Sequence, residues 1–429
     1  MILIMFSFLL MVIFSIPIAI SMLISTIIYL IWIEPIDLVV IPQMMENGLD
    51  SFPLLAVPFF LLLGQLMEHT GVTERFIALA RAMVGHIRGG LAHINIVASM
   101  LMAGIQGSAT ADTAALGSII IPPMIKDGYS RAFSAVVTAS SSTIGPIIPP
   151  SVIMVVYAAI GNVSVGRLFL AGAIPGGIMG VYLIITTYII ARKRGYGVVT
   201  DGLRFKNLYI AAVGAIWPLL LPGIIIGGIL GGVFTATESG AVALLYLLVA
   251  ASVHLGGMRL SIKGFITAVR ESVYIIGAVM FIVAAASVFG WMLNAIKVGD
   301  AMCSFFLSIS ENPIIVLLML NVLFLILGCF IETMALLILL TPILVPVITN
   351  IGIDPIHFGI IMILNLMIGL MTPPVGICMY VTSTLAKCNI EDFTKESWPF
   401  LLALLLVLLM IVFIPGITMY LPNLLLPLK

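Results

Sequence analysis

Charge is what this sequence has least of. Its 429 residues include 18 Lys plus Arg and 18 Asp plus Glu, so 8% of the chain is charged and the formal net charge is zero. A soluble domain carries about 25% charged residues. No basic field is present to recruit nucleic acid, and no acidic tail offers a solvated partner region. Cysteine is also sparse. Cys303, Cys329, Cys378 and Cys388 lie in or beside apolar stretches without metal-ligand or redox spacing, and they read as small buried hydrophobes. The five histidines stand singly, which argues against a metal centre. No Walker loop, nucleophile–base pair or metal cluster appears, so an enzyme is not indicated and no cofactor is expected. The first apolar run, Met1 to Trp32, has no basic residue before it and is too long for a cleaved signal peptide; it is expected to stay as a first membrane helix.

Apolar residues are what the chain has in abundance, at 62%, with a mean hydropathy of +1.29. These values predict an all-α polytopic membrane protein lying in a lipid bilayer. Segments near the roughly 20 residues that cross a bilayer occur at 5–31, 51–68, 167–190, 209–229, 239–255, 270–292 and 398–424. Three longer stretches, 89–126, 130–162 and 313–387, are interrupted by Gly, Pro and small polar residues, the last also breaking near Asn350 to Pro355. Backbone groups freed at membrane depth must line a protected cavity. Two amphipathic segments, 72–88 and 297–310, read as arms lying on the membrane surface.

An internal repeat is the strongest signal. A shift of 224 positions brings Gly104 onto Gly328, Pro122 onto Pro346, Gly128 onto Gly352 and Gly145 onto Gly369. The same shift brings Pro149 and Pro150 onto Pro373 and Pro374, and Pro175 onto Pro399. Glycine and proline fix backbone geometry, so their shared register is informative where apolar matches are not. The loop Lys126 to Arg131 is basic, whereas its counterpart Asn350 to Pro355 has no Lys or Arg. Cytoplasmic loops collect Lys and Arg. Arg192, Lys193, Arg194, Arg204, Lys206, Arg259 and Lys263 fall on the same side as Lys126, and the loop from Glu34 to Asp50, with four acids and no base, falls opposite. Two inverted-topology repeats with re-entrant helical hairpins and broken helices are therefore expected, a known design of secondary transporters.

Four breaks carry the chemistry. The first is a hairpin tip, Gly107, Ser108, Ala109, Thr110, Ala111 and Asp112, whose intramembrane carboxylate is a functional candidate. Ion contact and capping of the second hairpin helix are both open for Asp112. The second is the split helix from Ser140 to Ser151. Its hydroxyls, including Ser142, and the carbonyls loosened by Pro149 and Pro150 after Gly145 offer hard oxygen donors that suit a cation such as Na⁺. The third and fourth mirror these: Gly328 to Thr333, with Glu332, and Gly369 to Gly376, with Thr372. Glu332 is read rather as an N-cap than as an ion ligand. Two cation sites follow, using Ser108, Ser142, Gly145 and Pro149 in one half and Gly328, Gly369, Thr372 and Gly376 in the other. Substrate is placed between tips formed by Gly107, Ser108, Thr110, Asp112, Glu332 and Thr333. Thr235 and Glu238 have capping-box spacing.

Together the run 107–112, Gly-x-Ile-x-Pro-Pro-Ser at 145–151, Phe234-Thr235-x-Thr237-Glu238 and Thr372-Pro373-Pro374-x-Gly376 resemble the large membrane subunit of TRAP transporters, the tripartite ATP-independent periplasmic carriers. The resemblance covers essentially the whole chain; one departure is Ala236, where the family often has proline. It implies a multi-pass protein of the bacterial inner membrane, coupled to Na⁺ and moving like an elevator. It also implies a soluble periplasmic binding protein that delivers an organic acid (a C4-dicarboxylate, sialic acid or similar carboxylate) and a small four-helix membrane subunit, expected as a separate chain. On this reading residues 1–208 are the first repeat, with scaffold helices 5–31 and 51–68, arm 72–88, hairpin 89–126, split helix 130–162 and helix 167–190. Helix 209–229 links it to the second repeat, 230–429, with scaffold helices 239–255 and 270–292, arm 297–310, hairpin 313–350, split helix 356–387 and helix 398–424. The competing reading, a divalent-anion/Na⁺ symporter working without a binding protein, commonly carries Ser-Asn-Thr at its tips. Here one tip has Ser108-Ala109-Thr110 and neither has Asn. An ion channel would want a continuous polar path instead.

Overall fold

A computed structural model describes residues 2–14, 16–32, 36–106, 108–197 and 205–427. Gly107, Glu34 and Arg204, used above, lie outside the described residues. In chain order the helices are α1 (Ile2–Ile13), α2 (Ile18–Trp32), α3 (Val40–Leu49), α4 (Ala56–Glu68), α5 (Val72–Val84), α6 (Gly90–Gln106), α7 (Ala109–Lys126), α8 (Arg131–Ser142), α9 (Val152–Ile160) and α10 (Val165–Arg194). They continue with α11 (Phe205–Leu230), α12 (Ala236–Ser252), α13 (Ile262–Ala295), α14 (Val298–Ile309), α15 (Pro313–Gly328), α16 (Thr333–Asn350), α17 (Pro355–Gly369), α18 (Ile377–Ala386), α19 (Ile390–Phe413) and α20 (Gly416–Leu425). Among the described residues α10, α11, α13, α16 and α19 are each long and apolar enough to cross a membrane.

Local chemistry sets these boundaries. The hydroxyls of Ser108, Ser130, Ser151 and Ser164 accept from the first-turn N–H groups of α7, α8, α9 and α10. Asn312 and Asp354 do the same for α15 and α17, each followed by a proline at the first helical position, where its missing N–H costs nothing. Thr235 and Glu238 form a reciprocal capping box at the head of α12. Gly128 and Gly352, at φ 86° and 85°, turn the chain out of α7 and α16 in the left-handed region.

The 224-residue offset recurs in these boundaries. Shifted by it, α7 coincides with α16 from first residue to last, and α8 begins where α17 begins. Pro149–Pro150 and Pro373–Pro374, which the offset superposes, are both cis.

Two expected spans differ from the structure. Segment 5–31 is two helices folded against each other rather than one span. The Ser7 and Ser25 hydroxyls lie 3.4 Å apart, whereas a straight helix would separate them by about 27 Å. The turn falls at Pro17, which has no N–H to continue the ladder. Segment 398–424 breaks at Pro415 into α19 and α20, and α20 packs back along α10. The acidic stretch read as a loop before Asp50 also contains α3, which bends by 65° into the following helical segment, Phe52–Glu68.

Candidate functional site

The first hairpin (α6, α7) and the first split helix (α8, α9) meet through a buried polar network. The Asn95 amide of α6 donates to the Thr138 hydroxyl of α8 at 2.6 Å. Ser99 donates to Ser141 at 3.1 Å, and Ser141 donates to the side-chain Oδ1 of Asn95 at 3.4 Å. Ser142 donates to the Thr138 carbonyl at 2.9 Å. Asp112, on the first turn of α7, is only 3% exposed. It faces the Ser99 and Ser142 hydroxyls, yet neither carboxylate oxygen has a hydrogen-bond partner of good geometry. With two hydroxyls facing it but no well-aligned hydrogen bond and no counter-charge, this buried carboxylate is costly, by several kcal/mol. Ser108, not Asp112, caps α7, and its hydroxyl also lies 3.0 Å from that of Thr110.

Between α8 and α9, residues 143–151 include Pro146, Pro149 and Pro150, so nine carbonyls face only six N–H donors. Gly145 turns inside this break, its N–H on the Ser142 carbonyl at 3.3 Å. The break begins one residue beyond Ser142, whose hydroxyl faces Asp112, and a carboxylate, hydroxyls and carbonyls in excess of N–H groups are the donor types that suit a hard cation.

The second hairpin (α15, α16) docks on the second split helix (α17, α18) through close backbone contacts and one buried asparagine pair. Gly376 donates to the Cys329 carbonyl at 3.2 Å. Gly328 and Gly369 approach so closely that a Cβ on Gly369 would stand 2.6 Å from the Gly328 carbonyl carbon. Thr372 turns its hydroxyl onto the Ile368 carbonyl at 2.7 Å. Thr333 is buried with an unpartnered hydroxyl. Between the same elements the Asn365 amide donates to Asn321 Oδ1 at 2.6 Å, and its own Oδ1 is buried without a partner. Cys378, at the start of α18, stands beside Thr113 and within electrostatic reach of both Asp112 and Glu332.

Glu332 does not mirror Asp112. It caps α16, accepting from the Ala335 N–H at 3.0 Å, and under the repeat it corresponds to Ser108, the cap of α7. Asp112 corresponds to Leu336. The two halves therefore share caps and breaks but not their acids. Sequence reading missed Asn95, Ser99, Asn321 and Asn365. Their one visible signal is polarity inside apolar helices, and their partners lie more than 40 residues away.

Two contacts fix how the split helices lie. Arg131, at the start of α8, donates to the Ala386 carbonyl at the end of α18 at 3.1 Å. Tyr157, near the end of α9, donates to the Pro355 carbonyl at the start of α17 at 2.6 Å. Arg194 at the end of α10 likewise pairs with Glu396 near the start of α19 at 2.7 Å. Tyr157→Phe should remove this part-buried hydrogen bond and cost about 1 kcal/mol. Thermal unfolding of the variant beside its parent checks this, and an unchanged melting temperature would mean that the contact does not fasten the helix ends.

Comparison with known proteins follows the same lines. Residues 5–417 match the family described as "Tripartite ATP-independent periplasmic transporter, DctM component". The chain is 43% identical over 411 residues to the sialic acid TRAP transporter large permease protein SiaM of Vibrio cholerae, covering 95% of each protein. It is 38% identical to the C4-dicarboxylate TRAP transporter large permease protein DctM of the same organism, covering 97% of this chain and 96% of that one. Against the sialic acid TRAP transporter permease protein SiaT of Haemophilus influenzae it is 37% identical and spans 67% of that longer protein. In fold it is similar to the Alcanivorax borkumensis YdaH transporter (TM-score 0.66, 14% identity, 87% of each chain). It is also similar to Neisseria gonorrhoeae MtrF (TM-score 0.61, 14% identity, 95% of this chain and 94% of that one).

Proposed function

Because the chain belongs to the DctM-component family of tripartite ATP-independent periplasmic transporters, an integral membrane permease of organic acids, we propose that it imports its substrate on a Na⁺ gradient. The observation that carries this reading is Asp112: a buried carboxylate with both oxygens unpartnered, beside a break whose carbonyls outnumber its N–H groups. A bound Na⁺ supplies the missing counter-charge, held by Asp112 with Ser108, Ser142, Gly145 and Pro149 around it. In the second half the ligands are backbone and hydroxyl oxygens at Gly328, Gly369, Thr372 and Gly376. The carboxylate substrate sits between the tips, at Gly107, Ser108, Thr110, Asp112, Glu332 and Thr333, and binds well only where cations have already offset the acids.

Coupling then follows from electrostatics. An empty site leaves the Asp112 carboxylate without a counter-charge, and an anionic substrate finds no cation to receive it. Filled sites remove that charge and order both tips. The halves are inverted repeats, a reading supported by the head-to-tail contacts of Arg131 with Ala386 and of Tyr157 with Pro355. The hairpins and split helices move together as an elevator against a scaffold that includes α4, α12 and α13.

The protein is placed in the inner membrane of a bacterium, with a periplasmic binding protein presenting substrate and a small four-helix membrane subunit as a separate partner. In longer relatives such as SiaT this chain spans only part of the protein. Uptake into proteoliposomes containing this chain, the small subunit and candidate binding proteins tests the proposal. Uptake should require an inward Na⁺ gradient, and a K⁺ gradient should not replace it. Uptake by this chain without any binding protein would instead favour a stand-alone anion symporter.

A further inference from the structure

A cavity of about 430 Å³ lies away from the cation sites, where α3 and α13 face α9 and α16. Its polar lining is Asn47 and Ser51 beside α3, and Ser287, Trp291 and Asn294 on α13, with Pro342 of α16 closing one wall. Trp291 lies 28 residues beyond Lys263 on the unbroken helix α13, or about 42 Å at 1.5 Å per residue. The cavity is therefore at the membrane face opposite the basic loops. The volume is within the usual range for a small-ligand site, roughly 300–1,000 Å³.

The lining is chemically selective. Two carboxamides and the Ser51 hydroxyl can each donate and accept, Ser287 keeps an acceptor while its proton is on the Val283 carbonyl at 3.0 Å, and an indole offers a flat apolar face with one N–H. No charged side chain lines the cavity, while Glu46 and Asp50 flank Asn47 in the chain. A dianion would lose water here without a counter-charge, close to two acids. A hydroxyl-rich molecule would have its many donors and acceptors matched, with its C–H face stacked on Trp291.

We propose that this cavity is an outer-face reception site for a polyhydroxylated monocarboxylate, a sugar acid, held by Asn47, Asn294 and Trp291 before it passes to the tips. The proposal rests on the reading of the chain as an organic-acid importer and narrows its substrate class. The acid keeps its single carboxylate in water at the mouth while its hydroxylated body enters. Because α13 and α3 face α9 and α16 across the cavity, any movement of the hairpins past α13 opens or closes the site.

The titrations use the full chain purified by itself, with Trp32, Trp217 and Trp398 replaced by Phe so that Trp291 alone reports. Gluconate, glucuronate and N-acetylneuraminate are titrated in parallel with succinate. Saturable quenching of Trp291 by at least one of the three hydroxylated acids, and none by succinate, is the expected result. Asn294→Ala should weaken that titration about tenfold, the equivalent of one lost hydrogen bond, with the Na⁺ concentration for half-maximal uptake unmoved. Silence from all three hydroxylated acids, equal quenching by succinate, or an Asn294→Ala variant that titrates normally would each overturn the assignment. Na⁺-driven uptake persisting through such a result would leave the proposed function standing; its absence from the parent protein would count against that function instead.

Discussion

Replacing Asp112 with Asn is expected to stabilise the protein in Na⁺-free buffer and to abolish Na⁺-driven uptake. Both effects follow from a carboxylate that is 3% exposed and has no partner on either oxygen. Removing an unsatisfied buried charge without changing side-chain shape returns its desolvation penalty, about 1–3 kcal/mol. The same change removes the one formal charge among the proposed ligands of the first site, and a loss of about 3 kcal/mol in binding is about a hundredfold in affinity. Sodium at about a hundred times its dissociation constant should raise the stability of the parent by about 2.7 kcal/mol, because it binds the folded state alone. The variant should show no such rise. Melting curves at several Na⁺ concentrations, run beside proteoliposome uptake, separate the two effects. A variant that is less stable than its parent, yet still stabilised and driven by Na⁺, would mean that Asp112 serves packing and no cation.

The second large effect is expected at Gly369. A methyl group there would stand 2.6 Å from the Gly328 carbonyl carbon and 2.8 Å from its oxygen and Cα. These are backbone atoms at the end of α15, so nothing flexible can yield. Gly369→Ala must push the second hairpin off its split helix, breaking the Gly376 to Cys329 hydrogen bond that ties the tip to the break. We expect a loss of about 3 kcal/mol, the upper end for overpacking, and uptake below about one hundredth of the parent, since the hairpin carries proposed ligands at Gly328 and a tip at Thr333. Gly223→Ala on α11 is the control, because a Cβ there meets nothing within 4 Å; it should melt and transport as the parent does. Normal uptake by Gly369→Ala would show that this close approach is not needed for transport.

How much of this was legible beforehand depended on which residues carry geometry. Glycine and proline write backbone breaks into the sequence, so the hairpin ends, α7 and α16, and the splits at Pro149–Pro150 and Pro373–Pro374 could be placed from the 224-residue register. Proline misled where apolar residues surrounded it on every side. Pro17 and Pro415 sit inside runs long enough to span, and composition alone does not separate a kink from a fold-back. The polar pairs Asn95–Thr138 and Asn321–Asn365 were invisible for a different reason: a side chain that packs across helices leaves no periodic trace. Glu332 was legible as a helix cap, and it does accept from the Ala335 N–H at 3.0 Å; the 224-residue register sets it opposite Ser108, the cap of α7.

Both proposed cation sites depend on one arrangement, in which α8–α9 and α17–α18 run in opposite senses, as the contacts of Arg131 with Ala386 and of Tyr157 with Pro355 support. The most direct measurement labels single cysteines, in a background lacking the four native ones, at Lys126→Cys and Asp354→Cys, using a membrane-impermeant maleimide on right-side-out spheroplasts and on inverted vesicles. Position 354 should react only in spheroplasts and position 126 only in inverted vesicles. Reaction of both positions in the same preparation, and neither in the other, would contradict the antiparallel halves and the cation sites built from them.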